Sequence, residues 1–205
     1  MHKMYAQIKR RKIIVNIFSH IGIGRAVYTV IRRENGIQLD RKRFIRGNYI
    51  PDISKKHGSI RHFKQSAEDT IVDEINKLIK MNPDNAKDAE NFSLRLGIVC
   101  HYLADFFCYA HRPDFEGGSF SHMLYELKLC FYSTRKAHQL RKSCINNCLE
   151  CNNYQDCEKI AKVIDEKYRQ YSYLKPRKEN DMQFVMDVCT TICGLAGKNK
   201  SIFAS

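Results

Sequence analysis

The stretch from Leu96 to Glu126, LGIVCHYLADFFCYAHRPDFEGGSFSHMLYE, constrains this chain more than any other. It carries His101, Asp105, His111, His122 and Glu126, spaced as H-x3-D-x5-H, then ten residues, then H-x3-E. Residues four apart on a helix lie one above the other on the same face. His101 and Asp105 therefore present a ring nitrogen and a carboxylate to a common point. His122 and Glu126 do the same from a second helix. The neighbours Leu96, Ile98, Val99, Leu103, Phe106, Phe107 and Leu124 are apolar, which turns these helices toward a core. Ionisable groups in a core need a partner, and a metal ion suits histidine plus carboxylate.

The rest of the chain reads as helical too. Ser19 is placed to cap a helix from about His20 to Arg33, ended by Asn35-Gly36. GNYIPDI, residues 47–53, reads as an irregular stretch fixed by Gly47 and Pro51, with Asp52 on a loop. Ile71, Ile75, Leu78 and Ile79 form an apolar stripe on a helix that starts near Arg61–Ser66. A long helix is expected from Ala86 to Ala110, stopped before Pro113. Ser119 or Ser121 can cap the helix carrying His122 and Glu126, which runs to about Asn147. Two further helical patterns lie near 156–173 and 179–195, and no strand pattern or internal repeat stands out. The 205 residues suffice for one domain with a sizeable core. The expectation is an all-α, single-domain multi-helix bundle. Residues 13–130 supply the metal-site helices and 131–205 the C-terminal helices.

The formal charge is +13, and basic residues crowd the first third, among them Arg10, Arg11, Arg32, Arg33, Arg41, Lys42, Arg43 and Arg46. Such a field attracts nucleic acid or an anionic membrane surface. A solvated basic face is the plainer reading of the same residues. No segment reaches the roughly 18–20 apolar residues of a membrane span. KRRK followed by IIVNIF lacks a small-residue cleavage site, so the chain is expected to be cytoplasmic, peripheral to a membrane at most. There its nine cysteines stay reduced. Cys144, Cys148, Cys151 and Cys157 have a spacing that can hold an iron–sulfur cluster or structural zinc, with four plain thiols as the simpler alternative. Cys100, Cys108, Cys130, Cys189 and Cys193 read as core positions.

One His–Asp pair is equally well a hydrogen bond between helix neighbours. Its repetition on the next helix, with His111 between, favours metal. His111 follows Asp105 by six residues and cannot share its face on a continuous helix. It stands two residues before Pro113, where the helix must end and the chain can turn. This gives a His101/Asp105 group and a His111/His122/Glu126 group, with Asp105 placed to bridge two ions. Three protein ligands and an open position is the catalytic pattern of zinc.

HYLADFFCYAH followed by HMLYE resembles the zinc-dependent phospholipase C family, which shares a helical fold with the single-strand-specific zinc nucleases. The likeness extends over roughly residues 13–130. SHIGIGRA (19–26) is similar to the family's SH…NRA helix start, which implies His20 as a ligand. Arg61-His62-Phe63 is similar to its SHF, which implies His62, with His57 as a competing candidate. Asp52 stands where the family has an upstream Asp. The resemblance thus implies two or three zinc ions: one on Asp52, His62, His101 and Asp105, a second on His111, His122 and Glu126, a third on His20 and Asp105. At the third site the secreted relatives use an N-terminal Trp, and this chain has no Trp.

The implied activity is a zinc-dependent phosphoric ester hydrolase of phospholipase C type, in which metal-activated hydroxide attacks a phosphodiester. Asp52 is the expected general base and Asp105 the bridge. A nuclease or nucleotide phosphohydrolase of the same fold suits the basic charge. Tyr102, Phe106, Phe107, Tyr109 and Phe115 are available to stack bases, although aromatics on helices more often fill a core. A metal-stabilised domain that binds lipid or nucleic acid without turnover is the third reading. Ligands set the reaction type and pocket walls set the substrate, so the sequence leaves these open.

Overall fold

A computed structural model describes residues 2–54, 60–148, 157–197 and 200, with side chains described for 17–54, 60–133, 160–197 and 200. Among the described residues all regular structure is helical. The elements are α1 (His2–Glu34), α2 (Arg41–Gly47), α3 (Ile50–Ile53), α4 (Lys64–Lys80), α5 (Ala86–Phe106), a 3-10 turn (Tyr109–His111), α6 (Ser119–Cys148), α7 (Cys157–Ser172) and α8 (Lys178–Gly197). No helix among them is long and apolar enough to cross a membrane.

Helix α5 is the axis of the bundle. From Leu96 to Phe106 nearly every side chain is buried, including Leu96, Val99, Cys100, Tyr102 and Leu103. A helix apolar on all sides must be surrounded, and α2, α4 and α8 pack around it. Helix α8 is similarly enclosed through Met182, Val185, Met186, Cys189, Ile192 and Cys193. The outer helices bury one stripe each, as in Ala67, Ile71, Ile75 and Leu78 of α4. All these side chains join one core.

Glycines set how closely α2 approaches α5. A Cβ on Gly47 would lie 2.2 Å from the Leu94 carbonyl oxygen, and one on Gly97 would lie 2.2 Å from the Phe44 carbonyl oxygen. The two backbones touch at this crossing, which only paired glycines permit. Asp40 caps α2 by accepting from the Arg43 N–H at 2.7 Å, and Asn85 caps α5 by accepting from Asp88 at 3.0 Å.

Three boundaries differ from the sequence expectation. Helix α1 begins at His2, so Ser19 is interior and not a cap. Residues 2–18 contain no Gly or Pro and are rich in helix formers, so nothing obliges the chain to leave the helix there. The Ser19 hydroxyl instead donates to the Glu126 carbonyl at 2.8 Å, joining α1 to α6. Asp52 lies on the short helix α3, not on a loop, because Pro51 occupies its first turn, where the missing N–H costs nothing. Helix α5 ends at Phe106, four residues before Ala110, and the 3-10 turn follows. Helix α1 does end where expected: Gly36 has φ +67° and lets the Ile37 N–H return to the Ile31 carbonyl at 3.2 Å.

Candidate metal centre

Five histidines and three carboxylates converge where α1, α3, α5, the 3-10 turn and α6 meet. Asp105 stands at the middle. Its Oδ2 lies 2.7 Å from His62 Nδ1 and 3.3 Å from His101 Nε2. Its Oδ1 lies 3.3 Å from His20 Nε2 and 3.5 Å from His111 Nε2. One carboxylate thus faces four imidazoles, two on each oxygen.

Each partner arrives for a local reason. His101 is one turn before Asp105 on α5. The break after Phe106 turns the chain so that His111 approaches from the 3-10 turn. His111 Nε2 lies 3.2 Å from Glu126 Oε1, and His122 Nε2 lies 2.9 Å from the same oxygen. His62 lies just before α4 and His20 on the buried face of α1. Asp52, from α3, holds its two oxygens 3.9 Å from His20 Nε2 and 3.9 Å from His62 Nδ1. His57 and the cysteines at 144, 148, 151 and 157 lie outside the residues whose side chains are described; Cys100, Cys108, Cys189 and Cys193 are buried and Cys130 half-buried, none of them in a disulfide.

Three groups of side chains lie close enough to hold a metal: His62/His101/Asp105, His111/His122/Glu126, and His20/Asp52/His101. The first two share no residue. The third draws on His101, whose Nδ1 already donates to the Asn48 carbonyl at 2.9 Å. That leaves His101 a single free nitrogen, so it serves one ion. The ring of His20 also faces Asp105, and residues 2–19 precede it as continuous helix.

The donor set fits zinc. Asn48 offers only a carbonyl, so His101 carries its proton on Nδ1 and turns a bare Nε2 lone pair toward Asp105. A lone pair and a carboxylate 3.3 Å apart repel unless a cation or proton lies between them. A tetrahedron with zinc–ligand bonds of about 2.0–2.1 Å has edges of about 3.3 Å. The first group has spacings of 2.7, 3.2 and 3.3 Å and the second 3.2 and 2.9 Å. Asp52 Oδ2, His20 Nδ1 and His111 Nδ1 are buried and find no hydrogen-bond partner in the chain itself.

Electrostatics follow from burial and mutual charge. Burial opposes ionisation of Asp105, but His111, His101 and His20 outweigh it and hold the carboxyl well below the usual carboxylate range. Burial likewise opposes the Glu126 charge, and the hydrogen bonds from His111 and His122 bring its pKa down. Burial, with His20 and His62 adding to it, pushes His101 well below the usual imidazole value, which keeps the ring neutral. His20 goes the other way: burial is overcome by Asp105, Asp52 and Glu126, and its pKa rises to about 9. Burial raises Asp52 to about 6, against the pull of His20.

Only His62 (24 % exposed) and His122 (13 %) open noticeably to solvent, so the mouth lies between them. Aromatic rings flank it: Phe63 is 6.1 Å from the His111 ring and Phe115 is 5.9 Å from that of His122. The sequence reading passed over Asn48, which acts through a main-chain carbonyl and so leaves no side-chain signature. It also passed over Gly97, although a glycine inside an apolar helix signals a close backbone approach.

No curated protein and no solved structure gives a match to the chain. The family model described as zinc dependent phospholipase C matches residues 19–178, which takes in every residue of the pocket. The geometry of the pocket and the extent of that match agree, and the chain belongs to the zinc-dependent phospholipase C family.

Proposed function

We propose that the chain is a zinc-dependent phosphodiesterase of phospholipase C type, with a phospholipid as substrate. Its family supports a phosphoesterase-type hydrolase that depends on zinc. The observation that carries the reading is Asp105, whose two oxygens are each shared by two histidines inside a buried pocket.

His62, His101 and Asp105, with Asp52 beside them, would hold one ion; His111, His122 and Glu126 would hold another. His20 faces Oδ1 of Asp105 and would complete a third position with it. When bound, zinc supplies a Lewis acid for phosphoryl oxygens and lowers the pKa of water. The remaining work belongs to side chains. Asn48 fixes the tautomer of His101 through its carbonyl. Asp52 keeps an unpartnered, buried Oδ2 beside the metal ligands and is placed to take a proton from the attacking water. Phe63 and Phe115 wall the entrance, where the organic part of a phosphodiester would lie. Exposed Arg25, Arg41, Lys42, Arg46 and Arg61 favour an anionic surface as the setting. The absence of a disulfide at Cys100, Cys108, Cys130, Cys189 and Cys193 suits a reducing compartment such as the cytoplasm.

The test is one zinc-loaded sample assayed against phosphatidylcholine vesicles, single-stranded DNA and a chromogenic phosphodiester. Hydrolysis of the lipid that vanishes in Asp105→Asn supports the reading. Cleavage of DNA with the lipid untouched moves the activity to the nuclease class. Bound zinc with no turnover of any of the three leaves a binding domain.

A further inference from the structure

A buried carboxylate on α8 takes no part in the pocket yet is tied to both segments that carry its second metal group. Asp181 is wholly buried and lies beyond the stretch that matches the family model. It accepts three hydrogen bonds from three different elements. The main-chain N–H of Tyr109 donates at 3.0 Å, the Tyr125 hydroxyl at 2.7 Å and the Tyr171 hydroxyl at 2.8 Å. Tyr109 is two residues before His111. Tyr125 is the residue before Glu126 and three after His122. Tyr171 is in the last turn of α7, which carries no residue of the pocket.

These contacts have a specific consequence. On a continuous α5, the Tyr109 N–H would bond to the carbonyl of Asp105. The helix stops at Phe106, and Cys108 takes that carbonyl instead, at 3.2 Å. The Tyr109 N–H, at a half-buried residue, is then without a helix partner, and such a group costs free energy unless an acceptor is supplied. Asp181 supplies it. The break that turns His111 away from the α5 axis is therefore stabilised from α8. On α6 the Tyr125 hydroxyl fixes the rotation of the helix one residue from Glu126, and the Tyr109 and Tyr125 rings meet edge to face, with centroids 5.7 Å apart. A carboxylate is strong enough an acceptor to serve three donors at once.

We propose that Asp181 is a positioning residue for the His111/His122/Glu126 group, holding the 3-10 turn and α6 at the separation that group needs for zinc. The proposal rests on the reading of that group as a zinc site. It makes α8 part of the metal centre, although no side chain of α8 reaches the pocket.

The test compares Asp181→Asn, Tyr125→Phe and Tyr171→Phe with the wild type, using zinc content per chain and zinc affinity by competition with a chromogenic chelator. Tyr125→Phe and Tyr171→Phe each delete one hydroxyl bonded to Asp181. A merely structural node predicts that both lower thermal stability and neither changes zinc affinity. Positioning predicts that Tyr125→Phe and Asp181→Asn weaken one class of zinc site by about tenfold or more, while Tyr171→Phe keeps the wild-type affinity at a similar loss of stability. Full zinc in the wild type with unchanged affinity in Tyr125→Phe and Asp181→Asn overturns the proposal alone. A wild type that takes up no zinc overturns the zinc-site reading itself, and the proposal with it. Should Asp181→Asn fail to fold, the two tyrosine variants still decide the matter.

Discussion

The carbonyl of Asn48 accepts a hydrogen bond from Nδ1 of His101 at 2.9 Å, and this bond depends on two glycines, one on each helix. Asn48 follows Gly47 at the end of α2, and His101 lies one turn beyond Gly97 on α5. The helices meet at those glycines, with the nearest added Cβ atoms 2.2 Å from a carbonyl oxygen on either side. The Asn48 side chain is held in turn by Gly24 of α1, where a Cβ would come 2.8 Å from its Cγ.

Gly97→Ala is therefore expected to push α2 off α5 and pull the Asn48 carbonyl away from His101. Overpacking of this kind costs ~1–3 kcal/mol, which for a chain of this size lowers Tm by about 2–4 °C per kcal/mol. Loss of the acceptor frees the His101 tautomer and is expected to weaken zinc binding about tenfold or more. Thermal unfolding and zinc competition on the variant check both. A Gly97→Ala protein with wild-type Tm and wild-type zinc affinity would sink this account of the crossing.

Zinc removal makes a second prediction. Five imidazoles and three carboxylates in one pocket hold excess negative charge that only cations offset once the histidines are neutral ligands. An ion that binds only the folded state adds about 2.7 kcal/mol at a hundredfold excess over its Kd. Chelation should lower Tm by several degrees, and zinc should restore it. In Asp105→Asn the central carboxylate loses its charge, and the zinc-dependent rise in Tm should shrink by more than half. Equal Tm with chelator and with zinc in the wild type would count against a metal centre.

How much of this was legible depended on whether a residue acts through its own side chain and along one helix. His101 with Asp105, and His122 with Glu126, could be read because the helical period fixes their shared face. The helical class and most boundaries followed from apolar stripes and from caps such as the glycine after α1. Ser19 was misread because a serine before a helical stretch looks like a cap, and the sequence does not say whether the helix has already begun. Asp52 was misread because proline was taken as a breaker where it opens a helix. Asn48 and Asp181 were invisible for another reason. One works through its backbone, and the other meets partners such as Tyr109 at a separation of 72 residues.

Asp52 provides a kinetic prediction. Its Oδ2 is buried without a partner, and its oxygens stay 3.9 Å from the nearest histidines, farther than the spacings in the two tighter groups. If Asp52 takes the proton from water, as proposed, Asp52→Asn should lower kcat by about 10²–10⁴ and leave zinc content close to the wild type. A matching loss of one zinc per chain would show that Asp52 acts as a ligand and not as the base.

The acid limb of stability should carry the mark of Asp181. Burial lifts its pKa from 3.8 to about 6, against the pull of the Tyr109 N–H, the Tyr125 and Tyr171 hydroxyls and the Arg112 guanidinium; the Cys108 thiol and the Glu179 carboxylate are also nearby. The native state thus keeps a proton that the unfolded chain releases between about pH 4 and 6. Where the folded state binds more protons, stability falls as pH rises. A shift of about two units at about 1.4 kcal/mol each is worth up to ~3 kcal/mol. Asp181→Asn lacks this titration. The stability of the wild type minus that of Asp181→Asn, read from urea midpoints of chelator-treated protein, should decline between pH 4 and 6.5 and level off above. A difference that stays flat, or grows with pH, would mean that the three donors hold Asp181 ionised throughout and that burial is the weaker influence on it.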